Sequence, residues 1–445
     1  MAFLVATPAL AAEPGPDAHE ILLKSIAIPT VEGRGKVPEL ATYYSGVLKA
    51  AGYADGDIVF TPMGETGYLS VTLKGRTTAK PILLNGHMDV VEARAADWTR
   101  DPFVPVEENG YIFGRGSEDN KYDVAMMVAT MAQLKREGYR PKQDVILVLT
   151  GDEETHMFTA AAAAEKYKNA EMLLNGDGGG GLLGDDGKPS MYLLQAGEKT
   201  YADFSVTLTD PGGHSSAPTP GNPIYRMGPI LARLEAYHFP AQQNELTRAS
   251  LGLAADKFGG DMGSAIRAYL DNPGDLAAAD RISAFPELIG QVRTTCTATM
   301  LGGGHAPNAL PQRATLNINC RIFPGVSVES VQATLAKVIA DPSATLAVLE
   351  KPLASDASPL RPDVVKAVTA AVQTRYPGLK VVPSMSAGAT DSLYFRAVGV
   401  PSYGVASLFM KPADGFAHGL NERVPSDAIA AAQAQWVSVV KALTK

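Results

Sequence analysis

The chain has 445 residues, 46% hydrophobic and 19% charged, the balance of a soluble globular protein with about two or three domains. Its net charge of −8 leaves no basic footprint, which argues against a nucleic-acid partner. No apolar run reaches the roughly 20 residues that span a bilayer, and two cysteines, Cys296 and Cys320, are too few for a disulfide scaffold or a Cys-ligated zinc site.

The N-terminal stretch MAFLVATPALAAEPGPD holds a short apolar run closed by Ala9, Leu10 and Ala11, a small-residue pattern followed by polar sequence. It resembles the end of a secretory signal peptide. Residues 1–12 are therefore expected to be a signal-peptide remnant of a periplasmic or secreted protein. The basic segment that normally precedes the apolar run is missing, so a frayed N-terminus on a cytoplasmic protein is the alternative. In an exported chain Cys296 and Cys320 have the option of pairing.

Residues 80–91 (KPILLNGHMDVV) read as a strand. Residues 117–139 read as an amphipathic helix, with Val124, Met127, Val128, Met131 and Leu134 at helical spacing and Ser117 or Asp119 near its start. Residues 145–149 form an unbroken apolar run, as in strands buried on both faces, and Gly151 stops it. An Ala-rich helix over 159–168 and a strand within 171–181 follow. This alternation predicts an α/β fold with a mixed, largely parallel sheet. From about residue 199 the order becomes strand, helix, strand, strand, helix, strand, which is ferredoxin-like, with a helical insertion at about 242–290. The α/β pattern resumes after residue 355 and closes with a helix. The expected organisation is a discontinuous α/β domain, 13–198 and 355–445, carrying an inserted α+β domain, 199–354.

Acids and histidines gather at the expected strand ends and loops, where parallel α/β sheets bind ligands. His87 and Asp89 lie two residues apart, on one side of an extended segment; a metal-bound histidine with its orienting carboxylate and a satisfied structural histidine both fit. Asp119, in GRGSEDNK, reads either as a helix cap or as a carboxylate bridging two metals. Asp152, Glu153 and Glu154 form either a solvated turn or a working acidic cluster. Asp177 sits in NGDGGGG, where no G-K-[ST] follows, so a phosphate-binding loop is rejected. His418, in AHGLNERV, has an exposed loop histidine as its ordinary reading.

In order and spacing, H-x-D, G-R-G-x-x-D-x-K, D-E-E, a Gly-flanked Asp, G-G-H-S-S and H-G-x-N-E resemble the M20 family of metallopeptidases over essentially the whole chain after residue 18. GEKTYADFSVTLTDPGGHSSAP, PNALP, NCRIFPG and GATDS look most like its carboxypeptidase S and N-acyl-amino-acid hydrolase branch. The resemblance implies a zinc-peptidase catalytic domain and an inserted lid or dimerisation-type domain. It also implies two zinc ions per subunit, with cobalt or manganese as substitutes. His87, Asp119 and Asp177 would hold one ion; Asp119, Glu154 and His418 the other. Asp89 would orient His87, and Glu153 would be the general base. His214 would stabilise the oxyanion, Asn308 would contact substrate, and Arg321 would clamp a substrate carboxylate. In dimeric relatives the equivalent of His214 comes from the partner subunit, so a homodimer through the lid is left open. Tyr122 stands where the family usually has Gly or Asn and is expected to alter a pocket wall.

The function so implied is hydrolysis of an amide next to a free carboxylate, in a short peptide or an N-acyl amino acid. The rivals are a dipeptidase or aminopeptidase that recognises the substrate's amino group, and a peptide-binding protein that kept only the fold.

Overall fold

The computed structural model describes residues 15–445 except Ser355; the expected signal-peptide segment 1–12 lies outside the described residues. Ten strands form one sheet. Its spatial order is Ile58–Met63, Thr66–Leu73, Val145–Thr150, Ile82–His87, Met172–Asn175, Ser402–Gly404, Pro189–Glu198, Gly180–Leu183 and Phe409–Met410, with Val381–Ser386 also paired to Pro189–Glu198. The pairs from Val145–Thr150 across to Ser402–Gly404 are parallel, whereas Ile58–Met63, Thr66–Leu73 and Pro189–Glu198 bring antiparallel pairs.

The unbroken apolar runs follow from burial on both faces. Ile82, Leu84, Val145, Leu147, Leu149, Met172 and Leu174 enter one core with the helices Ala18–Ile26, Val37–Ala50, Lys121–Arg136, Pro362–Arg375 and Ile429–Leu443. The residues between them, Leu83, Ile146, Val148 and Leu173, enter a second core with Ala163, Ala164 and Phe395. Alternate side chains of a strand point to opposite faces, so a strand with apolar residues at every position can only sit between two layers.

A second sheet has the order Thr295–Gly303, Arg313–Ile322, Thr200–Thr209, Thr345–Leu349, with every pair antiparallel. Here the pattern alternates. Ala202, Phe204, Val206 and Leu208 with Leu316, Ile318 and Cys320 face the helices Pro223–Ala236 and Val328–Ile339, and the other face stays wetter. Cys296 and Cys320 stand opposite each other in this sheet and form a disulfide. The insertion is four helices, Glu245–Phe258, Gly260–Asp271, Leu276–Ser283 and Pro286–Val292, around Leu251, Ile266, Tyr269 and Ile282. Its first helix packs on Val381–Ser386 of the large sheet.

Three expected elements shift. The strand expected over 80–91 stops at His87, and the segment 171–181 divides into Met172–Asn175 and Gly180–Leu183. The helix expected from 117 starts at Lys121, so Ser117 and Asp119 precede it. Its N-cap, Asn120, makes no side-chain cap bond. Tyr122 is fully buried in the main core and reaches no pocket wall, because it follows the start of a helix whose first turns are packed on the sheet.

Candidate metal centre

Val145–Thr150, Ile82–His87 and Met172–Asn175 are adjacent and parallel, so their carboxyl ends finish side by side. His87 ends the central strand, opposite Thr150. The turn holding Glu153 and Glu154 leaves one neighbour, and Asp177 follows the other. Asp119 arrives from the loop before Lys121–Arg136, which lies close on the sheet: a Cβ at Gly86 would come within 2.5 Å of Asn120 Oδ1 and 2.9 Å of Val124 Cγ2. Only glycine beside His87 permits that approach. Asn120 then bonds the Gly176 carbonyl at 3.0 Å.

Asp119 lies between the two histidines. His87 Nε2 is 2.9 Å from its Oδ1, and His418 Nε2 is 3.2 Å from its Oδ2. His87 Nε2 also lies 3.9 Å from Asp177, and His418 Nε2 2.9 Å from Glu154. Three overlapping groups therefore have the spacing of metal-ligand sets: His87, Asp119 and Asp177; Asp119, Glu154 and His418; and His87, Glu153 and Glu154. His87 Nδ1 is 3.0 Å from the carbonyl oxygen of Asp89 and 3.6 Å from its carboxylate. That carboxylate accepts the backbone N–H groups of Glu153 at 3.1 Å and Glu154 at 3.0 Å. Asp89 thus fixes the histidine ring and the acidic turn together.

Charge is unbalanced here. Asp89, Asp119, Glu153, Glu154 and Asp177 face two histidines, and no described Lys or Arg is ion-paired with any of them. Burial, then repulsion from Asp119, pushes the Asp177 carboxyl well above the usual range. Burial also raises Glu153, aided by Asp177 and against the pull of His87. Bonds to Asp119 and Glu154 raise His418 to about 10. Clustered, half-buried acids with imidazole donors and no paired Lys or Arg match the ligand preference of zinc and similar divalent ions.

Residues beyond the sequence-derived set hold the centre in place. Glu422 is fully buried; its carboxylate accepts from Arg115 Nη1 at 2.6 Å and from the backbone N–H groups of Gly116 (3.0 Å), Glu118 (2.7 Å) and Asp119 (3.1 Å). Glu118 in turn accepts the N–H of Phe416 at 2.8 Å, so the loops carrying Asp119 and His418 clasp each other. Asp391, in GATDS, is buried and accepts from Asn85 and Thr150 beneath His87. Glu422 was visible in H-G-x-N-E, but nothing local indicated a carboxylate spent on distant amides.

Asp152 turns away from the cluster. Its carboxylate accepts the N–H groups of Phe158 at 2.8 Å and Thr159 at 3.0 Å, the first turn of the helix Phe158–Lys166. Asp152→Ala is expected to destabilise the metal-free protein by about 1–2 kcal/mol without changing metal stoichiometry. Urea unfolding with metal analysis checks this; unchanged stability would remove the capping role.

The remaining expected site residues stand on the second sheet and its loops. His214 is exposed, on the two-residue strand Gly213–His214 paired with Ala309–Leu310, and the Asn308 carbonyl accepts the N–H of Ser215 at 3.1 Å. The structure brings His214 and Asn308 together, but among the described residues no hydrogen bond or ion pair joins either to the acidic cluster. Arg321 lies over the Tyr201 ring, 4.7 Å from its centroid, and donates to the Ala387 carbonyl at 3.3 Å.

Residues 83–442 match the family model for peptidase family M20/M25/M40. The mouse (Mus musculus) N-fatty-acyl-amino acid synthase/hydrolase PM20D1 is 28% identical over 358 residues, 78% of this chain and 70% of that protein. The probable carboxypeptidase S-like 2 of Dictyostelium discoideum is 25% identical over 364 residues, 78% of this chain and 68% of that one. Among solved structures, the M20 family metallo-carboxypeptidase Sso-CP2 of Sulfolobus solfataricus shares the fold, with a TM-score of 0.71 at 19% identity over 96% of this chain and 99% of that one.

Proposed function

Because the chain belongs to peptidase family M20/M25/M40, whose members hydrolyse peptide and amide bonds, we propose that it is a dinuclear zinc hydrolase that cleaves an amide next to a free carboxylate. The observation that carries this reading is Asp119 offering one oxygen toward His87 and the other toward His418, with Asp177 and Glu154 completing two donor sets. Two divalent ions held there supply Lewis acidity toward the scissile carbonyl and toward water.

The protein's own residues do the rest. No described residue donates a hydrogen bond to the Glu153 carboxylate, while its backbone is pinned by Asp89, so it is free to take a proton from water and pass it to the departing nitrogen. Arg321 presents a planar pair of donors suited to a carboxylate. His214 pairs with Ala309, and Asn308 directly precedes that strand, so substrate bound between the two sheets would meet them together. The mouse N-fatty-acyl-amino acid synthase/hydrolase and the Dictyostelium probable carboxypeptidase S-like protein are both named for chemistry at an amide beside a carboxylate. Export is proposed as well, and the Cys296–Cys320 disulfide fits an oxidising compartment.

The test is a panel run on zinc-loaded protein: N-acetyl and N-lauroyl amino acids, free dipeptides, and the same compounds as C-terminal amides. Turnover should survive a blocked amino group and fail with a blocked carboxylate. The opposite pattern would establish the dipeptidase or aminopeptidase reading instead. Arg321→Ala is expected to raise KM about 10- to 100-fold for free-acid substrates with kcat little changed. An unchanged KM would place the carboxylate anchor elsewhere.

A further inference from the structure

Lys199 joins the two sheets, lying between the strands Pro189–Glu198 and Thr200–Thr209. Its side chain belongs to a residue only 1% exposed. A buried ammonium ordinarily has a counter-charge or a full set of acceptors. Among the described residues Lys199 Nζ has a single partner, the Arg293 carbonyl at 2.7 Å, and no carboxylate within ion-pair reach. Adjacent Glu198 is committed elsewhere, to Arg396 at 2.9 Å, Thr390 at 2.6 Å and Gln195 at 2.9 Å. The charge that Lys199 feels is Arg321's, of its own sign, and burial together with that repulsion lowers its pKa to about 8.

Arg321 makes no ion pair among the described residues, although Asp203 lies near enough to feel its charge. It contacts the Ala387 carbonyl and the Tyr201 ring, and Asp203, the acid that feels its charge, is held by Tyr201, Asn317 and Asn319. The next cation, Arg293, pairs with Asp280 at 2.8 Å. Lys199 and Arg321 close on one segment. A Cβ built on Gly290 would lie 3.6 Å from Lys199 Nζ and 3.8 Å from Ala387 Cβ, and Arg321 donates to Ala387 itself. That segment leads to Asp391, which is bonded beneath His87.

We propose that Lys199 is a positioning residue of the carboxylate site: its buried charge acts from behind Arg321, and the substrate's carboxylate is the anion that completes the pair. This rests on the reading that the substrate carries a free carboxylate. Lys199 has no acid of its own and repels Arg321, so an arriving carboxylate relieves that repulsion and an anionic substrate is preferred over its neutral amide.

The probes are N-lauroyl-L-leucine as substrate and N-lauroyl-L-leucinamide as competitive inhibitor, with zinc-loaded protein. Lys199→Met should raise KM for the acid about 10-fold, keep kcat within about 2-fold, and leave the Ki of the amide as in wild type. Lys199→Arg should restore KM. A parallel shift of KM and Ki, an unchanged KM, or failure of Lys199→Arg to restore it would overturn the assignment. If Lys199→Met is insoluble, Lys199→Gln, which keeps a donor for the Arg293 carbonyl, gives the same comparison. Wild-type protein that hydrolyses the amide as well as the acid would instead remove the carboxylate reading, whatever the variants do.

Discussion

Glu153→Gln is expected to lower kcat by about 10²–10⁴-fold while metal content stays at the wild-type level. Glutamine keeps the volume and one acceptor oxygen but cannot take up a proton. The position of the side chain should survive, because the Glu153 and Glu154 N–H groups are both held by Asp89 and neither bond involves the altered group. Glu154, whose carboxylate lies 2.9 Å from His418, stays in place to bind metal. Metal analysis beside steady-state kinetics separates the two glutamates: loss of metal in step with loss of activity would make Glu153 a ligand.

Exhaustive chelation should abolish turnover and lower Tm, and added zinc or cobalt should restore both. The stability effect has its own cause. Without cations Asp119, Asp177, Glu153 and Glu154 crowd together half-buried, and burial and repulsion raise Asp177 and Glu153. Ions that bind only the folded arrangement stabilise it by mass action. Full activity in protein shown by metal analysis to be ion-free would end the metal hypothesis.

The residues of the candidate site are legible in the sequence where they interrupt a local pattern. His87 ends a run of apolar residues, Glu153 and Glu154 follow another, and Asp177 sits among glycines. The GATD segment, Gly388 to Asp391, reads in the sequence as the floor of the pocket, but the bonds of Glu422 and Asp391 are not legible there, because their partners lie far along the chain: Glu422 bonds Arg115 across 307 residues and Asp391 bonds Asn85 across 306. Asp152 was indistinguishable from its two neighbours until its bonds to Phe158 and Thr159 made it a cap. The strand Pro189–Glu198 is likewise not legible in the sequence. Gln195, Gly197 and Glu198 interrupt its apolar pattern, although it pairs with three other strands of the large sheet. The fold-determining alternation of Thr200–Thr209 and Arg313–Ile322 was plain, since one wet face leaves a period of two.

The bonds from Glu422 to Gly116, Glu118 and Asp119 also govern when the centre can exist. Those contacts span 306, 304 and 303 residues, so during synthesis His87, Asp119, Glu154 and Asp177 are all made while the loop that shapes Asp119 is still unsupported. The second histidine emerges with that support, in the same short segment. A ribosome-bound or interrupted chain therefore has the acids without the second histidine, and the proposed pair of donor sets would be complete only after residues 416–422 have been made and docked. On the proposed reading, a product that stops short of residues 416–422 would lack both His418 and the carboxylate that holds the Asp119 loop.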